Sequence, residues 1–188
     1  MRHAFKPASP RLRLLRNLSV LVISVAAVAA CGSSTANTGT KVSTSAGGSS
    51  ASTKTTGNQH FKVGDAVNVG NTYTVTVNSV TTSAGIQNAI TPPQAGNTYL
   101  IVDVSLKNTS SKSQNVSSLL LFTLKDSTGQ KYDESLSAGV TTPDGTLTAG
   151  DVLRGQIAYE VPTSMHSFTL DFQADITSSG ATIWDLSV

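Results

Sequence analysis

Residues 98–108 read TYLIVDVSLKN, and their alternation decides the fold. Leu100, Val102, Val104 and Leu106 share one parity, while Asp103, Ser105 and Lys107 share the other. Side chains on a strand point alternately to opposite faces, so the four apolar residues form one core-facing surface. A slip of one residue would drive Asp103 and Lys107 into that core, which pins the register.

The same texture extends in both directions. Upstream, Phe61 and Val63, then Val67 and Val69, flank Gly64-Asp65, and Tyr73, Val75 and Val77 share a parity in TYTVTVNSV. Downstream, NVSSLLLFTLKD meets QKYDES across Asp126-Ser127-Thr128-Gly129, which reads as a hairpin. After a turn at Pro143-Asp144-Gly145, Ile157, Tyr159 and Val161 are in phase, then Phe168, Leu170 and Phe172, then Trp184, Leu186 and Val188. About eight short strands joined by turns predict an all-β, immunoglobulin-like antiparallel β-sandwich over residues 59–188. These roughly 130 residues suffice for one core. Trp184, Phe122, Tyr159, Phe168 and Phe172 are its large candidates, each worth about 1.5–3 kcal/mol when buried.

One connection is too long for a hairpin. Residues 82–97 carry Ile86, Ile90 and the pair Pro92-Pro93, and they read either as cover folded back on the domain edge or as part of a binding surface.

Ahead of the strands the composition changes. In residues 32–58, 27 in all, 14 are Ser or Thr, five are Gly and three are Ala. Such a segment has nothing to bury and is expected to be a disordered linker, with a coil dimension of roughly 5–6 Å × √27, about 30 Å. A spacing tether and a plain unstructured tail both fit this composition.

Residues 1–30 have the order of an export signal. Arg2, Lys6, Arg11, Arg13 and Arg16 precede a charge-free stretch of 13 residues, Leu18 to Ala30, too short to span a bilayer that needs about 20. Val28, Ala29 and Ala30 lead directly to Cys31, the sole cysteine of the chain. This arrangement resembles a bacterial lipobox. It implies cleavage before Cys31, acylation of its thiol by a fatty acid such as palmitate, and an address on the extracytoplasmic face of the cell membrane.

Removing the leader reverses the charge. The full chain has 13 Lys and Arg against 11 Asp and Glu, but five of the cations and none of the acids precede Cys31. From residue 59 onward six cations face eleven acids, which excludes the basic surface that nucleic acid requires.

The segments HFKVGDAVNVGNTYTVTVNSV, TYLIVDVSLKNTS, LFTLKDSTGQKYD, LTAGDVLRGQIAYEVP and SFTLDF together resemble a bacterial extracellular domain of unknown function. That family is common on lipoproteins and is related in fold to a mycobacterial immunoprotective extracellular antigen. The landmarks are Gly64-Asp65, Asp103 with Asn108, Asp126 to Tyr132, Gly150-Asp151, Gly155 and Glu160-Val161-Pro162. The resemblance implies an immunoglobulin-like sandwich and brings no established catalytic residues.

Catalytic and metal chemistry find little support. His60 and His166 are the only histidines after the leader, and no GxSxG turn accompanies the abundant serines. Met165 and His166 are adjacent, so on a strand they would point apart and could not share a copper ion with His60. Asp126 to Glu134 lacks the alternating acids of a calcium loop and reads as a solvated turn. Asp103 reads as an outward residue on a half-solvated face, with a ligand as the alternative. No catalytic residue, metal or cofactor is expected. The expected function is a lipid-anchored surface module, not an enzyme, that binds a protein or cell-envelope partner. A metal- or small-ligand-binding accessory lipoprotein and a structural spacer are the alternatives.

Overall fold

A computed structural model describes residues 39–42, 59–86, 89–177 and 180–188. Ten strands make two five-stranded sheets. The first is ordered β1 (Gly39–Lys41), β3 (Ala66–Val69), β4 (Tyr73–Ser83), β5 (Asn97–Asn108) and β10 (Val152–Pro162). The second is ordered β2 (His60–Lys62), β12 (Thr182–Ser187), β11 (Ser167–Phe172), β7 (Phe122–Asp126) and β8 (Lys131–Tyr132). A two-stranded ribbon of β6 (Gln114–Val116) and β9 (Gly145–Leu147) stands apart, and α1 (Ser118–Leu121) is one helical turn. The pairings are antiparallel apart from β2 with β12. The fold is an antiparallel β-sandwich, as expected.

β5 is central because it is apolar on the parity read from the sequence. Leu100, Val102, Val104 and Leu106 are fully buried. They face Phe168, Leu170 and Phe172 of β11 and Trp184 and Leu186 of β12, all buried as well. Such interdigitation of two inner faces is the usual core of a sandwich. Tyr73 of β4 meets Phe172 of β11 edge-on at 5.7 Å, an aromatic contact that joins the two sheets. All five large core candidates are buried.

Two local expectations are corrected, the strand over residues 118–121 and the strand count. The apolar pairs that flank Gly64-Asp65 go to different sheets: β2 lies in the second sheet and β3 in the first. The crossing occurs at Gly64, whose φ of 92° suits a residue without Cβ. Residues 118–121 form α1 instead of continuing a strand, and Leu119 and Leu120 are exposed. Strand count also differs, with twelve among the described residues, because short edge and ribbon strands lack a long apolar alternation.

Part of the expected linker is ordered too. Residues 39–41 pair antiparallel with 67–69, and Val42 N donates to Ala66 O at 2.7 Å. Gly39 makes this possible: a Cβ there would lie 2.3 Å from Val67 Cγ1. β1 is thus the edge strand on the β3 side, and other segments cover the opposite edge. On the β10 side, Ser135 N donates to Ala158 O and Gln156 N to Thr141 O. Covered edges remove a template for unwanted pairing.

Candidate functional site

Cys31, Val28, Ala29 and Ala30 lie outside the described residues, as does most of the 31–58 segment. Among the described residues no helix is long and apolar enough to cross a membrane.

The long connection between β4 and β5 acts as cover. Ile86 and Ala89 pack against Tyr99, Ala138 and Ala158 on the outer face of the first sheet. Tyr99 Oη donates to Thr91 O at 2.8 Å, and Gln94 N and Asn97 Nδ2 donate to Glu160 Oε1 at 2.8 and 2.9 Å. Ile90 does not join this packing and is largely exposed.

The scattered histidines do not converge. His60 pairs with Ile183 at the start of β12, whereas His166 O accepts from Val188 N beyond its end. Five residues of strand separate these positions, about 16 Å. Met165 packs on the core while His166 is exposed, and His60 Nδ1 lies 2.7 Å from Asp185 Oδ1.

The acids singled out by sequence have structural partners. Asp103 is outward, as expected; Arg154 donates to both its oxygens at 2.9 and 3.1 Å, and Asn78 Nδ2 donates to Oδ1 at 2.7 Å. The bond from Arg154 holds its carboxyl below the usual range despite partial burial. Asp126 is buried instead of solvated. Its Oδ1 accepts from Thr128 N, Thr128 Oγ1 and Gln130 N, and its Oδ2 accepts from Tyr132 Oη. The Thr128 hydroxyl foremost, and then the other donors, lower its pKa to about 2. With these bonds made, the carboxylate is committed to its own turn.

A second polar cluster lies beside α1. Asp144 Oδ1 accepts from Ser118 N at 2.6 Å and Ser118 Oγ at 3.0 Å, and Oδ2 accepts from Thr142 Oγ1 at 2.6 Å. Burial pushes the Asp144 carboxyl up, but these donors outweigh it and hold the pKa below the usual range. Glu134 is bridged to Tyr159, yet both its carboxylate oxygens and the Tyr159 hydroxyl are buried without a hydrogen bond. Burial pushes Glu134 up; the Ser118 hydroxyl, already committed to Asp144, gives only partial relief, and the Asp144 charge adds to the rise.

The outer face of the second sheet is different, because polar side chains there surround two hollows. One, of about 370 Å³, lies where β11 begins and β12 ends, where Ser127, Ser167, Thr169, Asp185 and Ser187 surround Phe168 and Leu186. The other, of about 330 Å³, lies at the opposite end, where Thr123, Lys125, Lys131, Asp171 and Gln173 surround Leu121 and Ile183. Lys125 Nζ is paired with Asp171 Oδ2. The register explains the meeting, since Asp171 is opposite Thr123 and Lys125 is opposite Thr169, so the two charges are diagonal neighbours on one face. Sequence reasoning missed this pair. The available signal was that Lys125 in LFTLKD and Asp171 in SFTLDF both occupy the outward parity.

Comparison with known proteins agrees with this architecture. No curated protein matches the sequence. Among solved structures, the yjhA protein of Bacillus subtilis aligns at TM-score 0.50 and 22% identity, covering 67% of this chain and 98% of that one. MPT63, a secreted protein of Mycobacterium tuberculosis, aligns at 0.49 and 11% identity over 71% of this chain and 100% of that one. A candidate lipoprotein of B. subtilis, ycdA, aligns at 0.49 and 16% identity; the match covers 62% of this chain and only 37% of that one. The likeness to yjhA concerns the fold alone. Residues 61–183 match the model described as Domain of unknown function (DUF4352), and the chain belongs to that family.

Proposed function

We propose that the protein is a lipid-anchored, extracytoplasmic binding module and not an enzyme. The observation that carries this reading is Cys31, the sole cysteine, placed directly after Val28-Ala29-Ala30 and the basic, then apolar, leader. The acyl chain holds the domain at the membrane, and the outer face of the second sheet is presented to a cell-envelope or protein partner. This assignment of the face follows from cover: loops pack on the outer face and the β10 edge of the first sheet, while polar side chains line hollows on the second.

Metabolic labelling with a fatty acid tests the anchor. Wild type is expected to carry label, and Cys31→Ser is expected to lose it and either enter the medium or persist unprocessed with the domain folded. Label retained by Cys31→Ser would contradict the anchor. Crosslinking on intact cells tests the partner, which a charge-altered second-sheet face is expected to lose.

A further inference from the structure

The hollow between Lys131 and Ile183 makes more specific chemical demands than a general contact face. Asp171 projects into it from β11 and is only 8% exposed. Its Oδ2 is satisfied by Lys125, but its Oδ1 is buried and makes no hydrogen bond within the protein. A buried carboxylate oxygen without a donor is costly, so a small shift of the Asp171 side chain that brings Oδ1 to a ligand O–H or N–H in the hollow is favoured.

Lys131 supplies the opposite demand. It reaches the hollow from β8, and among the described residues no carboxylate pairs with it. Lys125 and Lys131 against Asp171 leave one positive charge in excess, and His60, itself 2.7 Å from Asp185 Oδ1, also lines the hollow. Between them, Leu121 and Ile183 provide an apolar floor. At about 330 Å³ the hollow falls at the lower end of the range for small-molecule sites, roughly 300–1,000 Å³.

One chemistry meets all three demands. We propose that this hollow binds an acidic sugar unit of a cell-envelope polysaccharide, with a ring hydroxyl donating to Asp171 Oδ1, the sugar carboxylate accepting from Lys131, and the ring C–H face resting on Leu121 and Ile183. A neutral sugar leaves Lys131 without a counter-charge. A simple anion gives Asp171 Oδ1 no donor and is repelled by it. The inference rests on the second sheet being the binding face.

Isothermal titration of the full-length chain in detergent, with glucuronate, glucose and acetate as probes, tests it. Glucuronate is expected to bind saturably in the millimolar range, with glucose and acetate each weaker by about tenfold or more. Lys131→Ala and Asp171→Asn are each expected to weaken glucuronate by about tenfold, and Lys131→Ala, an exposed change, is expected to melt as wild type does. Equal binding of acetate and glucuronate, equal binding by wild type and Lys131→Ala, or no saturable binding would overturn the site. Retardation in a gel containing polygalacturonate, but not neutral dextran, is expected of a polysaccharide binder; monomer binding without retardation would overturn the polymer as ligand. None of these outcomes alters fatty-acid labelling at Cys31, so failure of the sugar site is separable from failure of the anchored-module reading.

Discussion

Gly39 backs directly onto Thr182: a methyl group on Gly39 would come within 2.6 Å of Thr182 Cγ2. The contact joins a residue from the Ser/Thr-rich segment to a strand of the second sheet, while the backbone around Gly39 pairs with the first. Lys41 adds an ion pair to Asp65, Nζ to Oδ1 at 2.6 Å, in a solvent-screened position worth little on its own. Residues 39–41 of the segment before residue 59 are therefore held on the sandwich. Any tether leading from Cys31 to the domain is shortened to the residues before Gly39.

Gly39→Val is expected to expel this strand while leaving the sandwich intact, because the added side chain overlaps both Val67 and Thr182. Hydrogen exchange would show it as lost protection at the Val42 amide, which donates to Ala66 O, with β5 unchanged. Unaltered protection at Val42 would mean that the segment tolerates a side chain and is not held by this fit.

Asp126 should govern stability in acid. Its folded pKa of about 2 lies below the ordinary 3.8, so the native state favours the ionised form. The stabilisation is complete above the unfolded value and disappears as pH falls from about 4 through 2. Urea melts across that window are expected to show a loss of stability in wild type that is smaller in Asp126→Asn. Equal slopes in the two proteins would remove Asp126 from the account.

Much of the sandwich was legible because burial imposes a period of two: Leu100 to Leu106, Phe168 to Phe172, and Trp184 with Leu186 show it directly. What parity cannot show is which sheet a strand joins. Phe61 and Val67 have the same apolar character on either side of Gly64-Asp65, yet they belong to different sheets. Gly39–Lys41 escaped for another reason. Its pairing depends on a glycine fitting against Val67 and Thr182, and neither neighbour is local in sequence. The Lys125–Asp171 pair was hidden in the same way, since strand register alone brings together residues 46 apart.

Trp184 should be the most damaging single truncation. It is fully buried, packs against Phe61 at 5.9 Å and directs Nε1 to Asp65 O at 3.4 Å. Trp184→Ala is expected to cost about 3–5 kcal/mol, a large part of the roughly 5–15 kcal/mol available to a domain. Denaturation followed by circular dichroism measures this. A loss under about 1 kcal/mol would show that the core collapses around the cavity far better than its packing implies.

Glu134 should act in the opposite sense to Asp126. Burial raises its carboxyl pKa in the folded protein, and the Asp144 charge adds to the rise. A carboxyl that binds its proton more tightly when folded favours the native state increasingly as pH falls from neutral through the folded pKa, with the gain levelling off below the unfolded value. Glu134→Gln removes the cost of ionisation while keeping the shape, so it is expected to raise the melting temperature at pH 7. The advantage over wild type should shrink as the solution is acidified and Glu134 takes up its proton. Paired melts at pH 7 and near pH 4.5 make the comparison. If Glu134→Gln melts lower than wild type at pH 7, the ionised carboxylate must be stabilising the fold through a partner, and Ser118 is then the residue to substitute next.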